Sequence, residues 1–497
     1  MKQEIPRRKR NRNFRGCGLS NESLSYVIDT EVTPAYVSHL LDFIHHKYIL
    51  PNQQYFTDVS IGAANNYSVL SFVTLDSDRK RELSVVVKGS KPIEVKITRL
   101  SETATQKVID EVKEDLFIAV QLFEEQIRKS TLYFAWREGE EIVPEKISGK
   151  ERKALNRILL ETQIFLFIVF IALSILLFSV LDWFAPVVLM IFQLLIVLNS
   201  NRIVARMGDW RITETNPSIH LLQYHLPIEE HEEFARKYSR KELIGIKKEI
   251  YEQTLAKGKS IECETAQEVF SKHGFECKPE NLSTKTVNVH ELVEKTAEKF
   301  DLPMPEIVIS NTMIPNAAAS GPSPSRGVVL ITTGLLVQLE EDEILSVLGH
   351  EFSHLKSRDP LVLFGLTAGE FLFRFYVILQ FFPIIFSSYI LFFLYFWLVM
   401  ALIYFIAKFF EAKCDLVSAM VIGQPKALAE ALEKIGFRRL QYERYPSYRL
   451  QKWIGWEPHP PISFRVNRLM NLKVPVKTRH PLFQSMKDVT KGFLTSF

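Results

Sequence analysis

Histidine and glutamate carry much of the hydrolytic chemistry open to side chains, and one run here spaces them tellingly: His350-Glu351-Phe352-Ser353-His354, followed by Arg358-Asp359. The apolar positions Ile344, Leu345, Val347, Leu348 and Leu355 recur as on one face of a helix, which Glu341-Asp342-Glu343 would start at its positive end. Residues four apart share a helix face, so His350 and His354 can aim two imidazoles at one ion. Glu351 is turned about 100° from His350 and can reach a water there. H-E-x-x-H on a helix points to metal-assisted hydrolysis of peptide bonds, with the glutamate as general base. The plain alternative is two surface histidines beside a glutamate, and the rest of the chain has to decide.

Two histidines do not complete a catalytic metal site. A third protein ligand is needed, with the fourth position left to water. The best candidate is Glu411, in Phe409-Phe410-Glu411-Ala412-Lys413-Cys414-Asp415 at the end of the last apolar block. Glu411 and Asp415 lie four apart and share a face. Glu411 would bind the metal, while Asp415 could accept the remaining N–H of a ligand histidine and fix its tautomer. Cys414 is softer but lies off that face, and it ranks below Glu411. Taken alone, this segment would read as acidic residues leaving a membrane helix.

The elements that must position these residues are set by two long apolar blocks, in which many of the 36 phenylalanines gather. The first, Ile164–Leu198, exceeds one span of about 20 residues and is slightly short for two. It reads as a hairpin of two helices turning near Asp182–Pro186, with a single long kinked helix or a re-entrant pair as the alternatives. The second, Leu361–Ala407, is broken at Pro383 and Ser387-Ser388 and is long enough for two spans; Glu370 and Arg374 inside it lie one turn apart and can neutralise each other. Lys146, Lys150, Arg152, Lys153 and Arg157 precede the first block, and Arg202, Arg206 and Arg211 follow it. Lys356 and Arg358 precede the second, Lys408 and Lys413 follow it, and neither turn carries Lys or Arg. The excess of positive charge predicts that the soluble parts and the metal helix face the cytoplasm.

Outside the blocks the chain reads as soluble. Residues 1–20 are a basic polar tail without the apolar core of a cleavable signal peptide. An amphipathic helix is expected over Tyr36–Lys47, strands at Tyr67–Leu75, Leu83–Lys88 and Ile93–Ile97, and a long helix over Thr103–Ser130. His220, His225 and His231 fit no single helix face and read as loop and surface residues. The four cysteines, Cys17, Cys263, Cys277 and Cys414, are too scattered for a disulfide framework. A net charge of +4 argues neither for nor against nucleic acid. The Arg/Tyr/Trp-rich stretch 437–456 reads as an interfacial belt or a flap over the site, and no nucleic-acid partner is expected.

Further residues carry a resemblance. Asn316-Ala317-Ala318-Ala319, Val329-Leu330-Ile331-Thr332-Thr333-Gly334-Leu335-Leu336, His350 to His354 with Asp359, Glu411 to Asp415, and His459-Pro460-Pro461 with Arg465 occur in order. Together they resemble the integral-membrane zinc metallopeptidases of the HtpX type, which share a catalytic domain with the CaaX prenyl proteases. The likeness covers about 160–205 and 285–475. It implies one Zn²⁺ per chain on His350, His354 and Glu411, with Glu351 as base. It also implies an edge segment at Asn316 that holds substrate as an added strand, His459 as a candidate for oxyanion stabilisation, and Arg465 holding substrate or an acidic ligand. The loop 320–325, rich in Pro and Ser, departs from the family's pattern.

The expected fold is therefore a mostly α membrane protein. It would have a zincin-like metallopeptidase domain with a small β-sheet, about four transmembrane helices and a soluble α+β N-terminal domain. The expected boundaries are 1–150 for the N-terminal domain, 160–204 for the first transmembrane hairpin and 205–285 for a soluble helical insert. The peptidase domain would take 286–475, including the second hairpin 361–407, and the tail 476–497. The expected function is a multi-pass cell-membrane zinc endopeptidase, its catalytic domain facing the cytoplasm, acting on protein or peptide substrates such as misfolded membrane proteins. A CaaX-type processing protease for lipidated substrates and a non-catalytic membrane scaffold are the alternatives.

Overall fold

The computed structural model describes residues 23–137 except 33–35, 65–66 and 102–103, residue 139, and residues 163–496 except 227–233, 235–236, 239, 262, 274–277 and 279–280. The basic tail, Cys17, Cys277, His231 and the positive flank from Lys146 to Arg157 lie outside the described residues. The chain divides into two units, each taken here by itself.

The first unit comprises 1–134, 221–284 and 437–445. It holds an antiparallel sheet in the order β1-β5-β4-β3-β2, from β1 (Ser23–Ile28), β2 (Phe56–Ala64), β3 (Tyr67–Leu75), β4 (Arg81–Lys88) and β5 (Ile93–Arg99). The alternation that forecast β5 is literal: Ile93, Val95 and Ile97 are buried, Glu94 and Lys96 exposed. The turn before β4 is built by Asp76, whose Oδ1 accepts the N–H groups of Asp78 and Lys80. Two helices accompany the sheet, α1 (Val37–Ile44) and α2 (Gln106–Lys129). On α2, Val108, Val112 and Leu116 are buried four apart, the stripe of an apolar face, and from Ile118 to Glu124 the helix is buried all round. β1 and β2 were not foreseen. His220 and His225 correct the loop expectation, since both are buried on the strand Ser218–His225, with Nδ1 atoms 3.0 Å from Thr286 Oγ1 and 2.7 Å from Thr131 Oγ1.

The second unit comprises 135–220, 285–436 and 446–497. Its first apolar block forms α3 (Gln163–Leu181) and α4 (Ala185–Leu198), joined by the turn Asp182–Phe184 with Asp182 in the left-handed region. A 14-residue α4 is about 21 Å long, short of a hydrocarbon core of about 30 Å. Among the described residues three candidate spans stand where about four were expected: Ala172–Leu198, which takes in part of α3 together with α4, Asp359–Phe381 and Tyr389–Val421.

The amphipathic helix α5 (Ser200–Met207) follows, and its Val204 and Ala205 pack on Val308, Val328 and Leu330 of a small sheet. That sheet has β6 (Trp210–Ile212), β7 (Glu306–Ser310), β8 (Ala317–Ser320) and β9 (Val328–Thr332) in the order β8-β9-β7-β6. β7 and β9 are parallel, and β8 lies antiparallel to β9 as an edge.

Helix α6 (Glu341–Ser357) starts with a reciprocal cap: Glu340 accepts from the backbone of Glu343, whose Oε2 accepts the Glu340 N–H at 2.8 Å. It ends at Arg358, left-handed at φ +53°, which turns the chain directly into α7 (Asp359–Phe373). After the Pro383 break, α8 (Tyr389–Val421) runs 33 residues, about 50 Å, and carries Glu411 well beyond the apolar stretch.

Candidate metal centre

Burial of Ile344, Val347, Leu348, Phe352 and Leu355 fixes the rotation of α6, which turns His350 and His354 toward α8. Their rings lie 4.9 Å apart at 77°, and their Nε2 atoms are 3.2 Å apart. Glu411 closes a triangle, with Oε2 3.4 Å from His350 Nε2 and Oε1 3.4 Å from His354 Nε2. Four donors arranged tetrahedrally at about 2.0–2.1 Å from a metal are about 3.3–3.4 Å from one another. Each of the three separations is of that order, the two to Glu411 being made by different oxygens of its carboxylate.

The far side of each ring explains which atoms are free to bind. His350 Nδ1 lies 2.9 Å from Asp415 Oδ1, close in distance although too poorly aligned for a good hydrogen bond. His354 Nδ1 lies 2.9 Å from Asp359 Oδ2. A proton on each Nδ1, facing a carboxylate, leaves both Nε2 atoms with lone pairs directed inward. Glu411 Oε2 is buried without a well-aligned hydrogen-bond partner, with His350 Nε2 at 3.4 Å and His459 Nε2 at 3.3 Å as neighbours. A second set, His354, Asp359 and Cys414, also clusters, but there Asp359 is already taken by Lys413 Nζ at 2.7 and 2.8 Å, and Cys414 Sγ donates to Asp359 Oδ2 at 3.3 Å.

Charge is balanced around this core. Arg465 is buried and gives Asp415 a two-pronged bond, Nε to Oδ2 at 2.8 Å and Nη2 to Oδ1 at 2.7 Å. Burial works against its charge, but Asp415 more than compensates and holds the guanidinium's pKa above its ordinary value. Burial likewise pulls the His350 pKa down, while Asp415 and Glu411 outweigh it and leave it raised. In His354 burial is outweighed by Cys414, Asp359 and Glu411, so its pKa is raised well above the usual range.

The remaining expected residues are placed as follows. Glu351 sits one position round α6, and its Oε2 accepts the N–H of Ala319 on the edge strand β8 at 2.9 Å. Asn316 lies at the entry to β8, where its N–H donates to Thr332 Oγ1 and its carbonyl accepts from the Thr332 N–H. His459 is 43% exposed, with Nε2 3.3 Å from Glu411 Oε2. Arg465, expected at substrate or at an acidic ligand, is committed to Asp415. Sequence reasoning assigned no role to Asp359 as the partner of His354, and gave Lys413 and Lys408 only a place in the positive flank of the second apolar block, whereas both are buried. The signal for Asp359 was its position as the first residue of the helix that follows α6.

Residues 283–473 match the family Peptidase family M48; the stretch 160–205 lies outside that match. The chain is 34% identical over 191 residues to Protease HtpX homolog 2 of Methanosarcina acetivorans, covering 34% of this chain and 60% of that protein. It is 35% identical over 170 residues to Protease HtpX homolog of Moorella thermoacetica, covering 30% and 54%. With Protease HtpX homolog of Pyrococcus abyssi it shares 46% over 74 residues, covering 15% and 26%. The chain thus spans 60% of the length of the first of these relatives and less of the others. A solved structure, S. mikatae Ste24p, aligns with a TM-score of 0.27 and 18% identity over 36% of this chain and 49% of that one. The matched stretch 283–473 contains every residue of the centre described above.

Proposed function

We propose that this chain is a membrane-embedded zinc endopeptidase with its active centre at His350, His354 and Glu411. The observation that carries the reading is the triangle of 3.2, 3.4 and 3.4 Å between two imidazole nitrogens and a carboxylate, with Glu351 alongside. A zinc ion held there would supply Lewis acidity and bring a water's pKa toward about 7. Asp415 and Asp359 keep the imidazoles in the binding tautomer. Glu351 takes a proton from the attacking water and returns it to the leaving amine. The free edge of β8 offers backbone groups to an extended peptide as an added strand, with Asn316 at its entry. His459, open to solvent beside Glu411, is placed to hold the developing oxyanion.

The substrates we assign are protein segments at the membrane surface, damaged or misassembled membrane proteins among them, and the catalytic side is the cytoplasmic one. Against a scaffold without activity stands the intact set of His350, Glu351, His354 and Glu411, although Glu351 also ties α6 to β8 through the Ala319 N–H. The test is zinc content and cleavage of casein by purified protein, wild type against Glu351→Gln. The variant is expected to keep zinc and lose at least about 10³-fold in turnover, the scale of losing both proton transfers. Near wild-type cleavage by Glu351→Gln would defeat the assignment.

A further inference from the structure

Beside the centre, the mechanism leaves the buried cation Lys408 without a role. Lys408 lies on α8 one turn before Glu411 and is fully buried, yet the acceptor of its ammonium is a main-chain carbonyl, that of Glu457. A lysine is seldom taken wholly out of water unless its charge is used. Glu457 is held a second time, its carboxylate paired with Lys452 of the helix Pro446–Ile454. Two residues further on stands His459, 3.3 Å from Glu411. Beyond it the chain is pinned again to α8, through Arg465 to Asp415 and Arg468 Nη1 to the Ala412 carbonyl. His459 is thus the exposed middle of a short loop, fastened at both ends to the helix that presents Glu411.

We propose that Lys408 is a positioning residue for His459: by gripping the Glu457 carbonyl it fixes the loop 455–461 so that the imidazole stands over the metal centre. This rests on the peptidase reading above. Lys408 touches neither substrate nor metal and acts only through the loop. Its removal should therefore cost turnover while leaving metal binding intact, and cost nothing once His459 is gone.

The experiment compares wild type, Lys408→Met, Lys408→Arg, His459→Gln and the Lys408→Met/His459→Gln double variant, as full chains in detergent. It reads zinc content, kcat and KM on one peptide, and amide hydrogen exchange over 455–461 with and without zinc. Lys408→Met is expected to lower kcat about 10-fold or more, with KM within about 2-fold and one zinc per chain, and to speed exchange at 455–461; added to His459→Gln it should lower kcat no further. Lys408→Arg, which keeps a cationic donor, should recover most of the loss. An equal loss in both backgrounds, a change in KM alone, or unchanged exchange and kcat overturns the assignment. Should Lys408→Met fail to fold, Lys452→Met loosens the same residue from the other side and is judged by the same pair of backgrounds. A wild-type chain without peptidase activity overturns the peptidase reading and this one with it; an active wild type with additive losses overturns this one alone.

Discussion

Each imidazole of the centre is met from behind by a carboxylate, and each carboxylate in turn by a cation: His350, Asp415 and Arg465 on one side, His354, Asp359 and Lys413 on the other. The cations matter because a buried carboxylate left unpaired costs about 3–5 kcal/mol. The two layers should separate by experiment. Glu411→Ala is expected to lose stoichiometric zinc, whereas Asp359→Asn should keep it at saturation but weaken affinity about 10–100-fold, read by competition with a chelator. Unchanged zinc per chain in Glu411→Ala would remove Glu411 from the ligand set. The inner layer was legible because its members sit four apart on single helices, a spacing that sequence displays directly. The outer layer was legible only at Asp415 and Arg465, since Lys413 reaches Asp359 from 54 positions away and Lys408 reaches Glu457 from 49. Those pairs exist only once α8 and its neighbours are folded together.

At the scale of elements, the centre depends on how closely α6 and α8 approach. Ser418 Oγ donates to the Ser346 carbonyl at 2.7 Å, a bond between the two helices. Gly349 sits in the same seam. A Cβ there would stand 2.6 Å from Ile422 Cγ1 and 2.7 Å from Ser418 Oγ, nearer than atoms pack. Gly349→Ala should therefore push the helices apart, costing about 1–3 kcal/mol of stability by overpacking. Because His350 is the next residue, zinc affinity should fall as well. A thermal melt and zinc titration of the purified variant check both, and an unaltered zinc affinity would mean that the seam has slack. Periodicity forecast α6, α2 and three of the five strands in the first sheet. It missed β2, where Val59 and Ile61 alternate with Ser60 and Gly62 but are exposed rather than turned to a core.

For the whole molecule, charge and hydropathy make a prediction that the side chains of the centre do not. If the flanking Lys and Arg residues hold the soluble parts in the cytoplasm, the loop near Ser387 lies across the membrane. A reporter fused there should read as external, and a cytoplasmic reading would reverse the proposed orientation. How the chain is partitioned was less legible than how it meets the membrane. Residues 221–284 and 437–445 join 1–134 in one unit. The joins are made by pairs such as Arg444 with Asp115 and Arg438 with Glu125, which no local pattern announces.

Helix α8 has one further consequence. A rod of 33 residues, about 50 Å, outreaches a hydrocarbon core of about 30 Å by several turns, and Glu411 rides on the projecting part. A thinner or thicker bilayer is met by tilting such a helix. Should tilt displace the projecting end sideways relative to α6, against the hold of Ser418 on Ser346, the gap between Glu411 and the two histidines would change with the lipid. In vesicles of graded acyl-chain length, zinc affinity and turnover should pass together through a maximum, and a flat response would show that α6 and α8 move as one. The helix would then serve as a gauge, making the condition of the membrane itself an input to the chemistry.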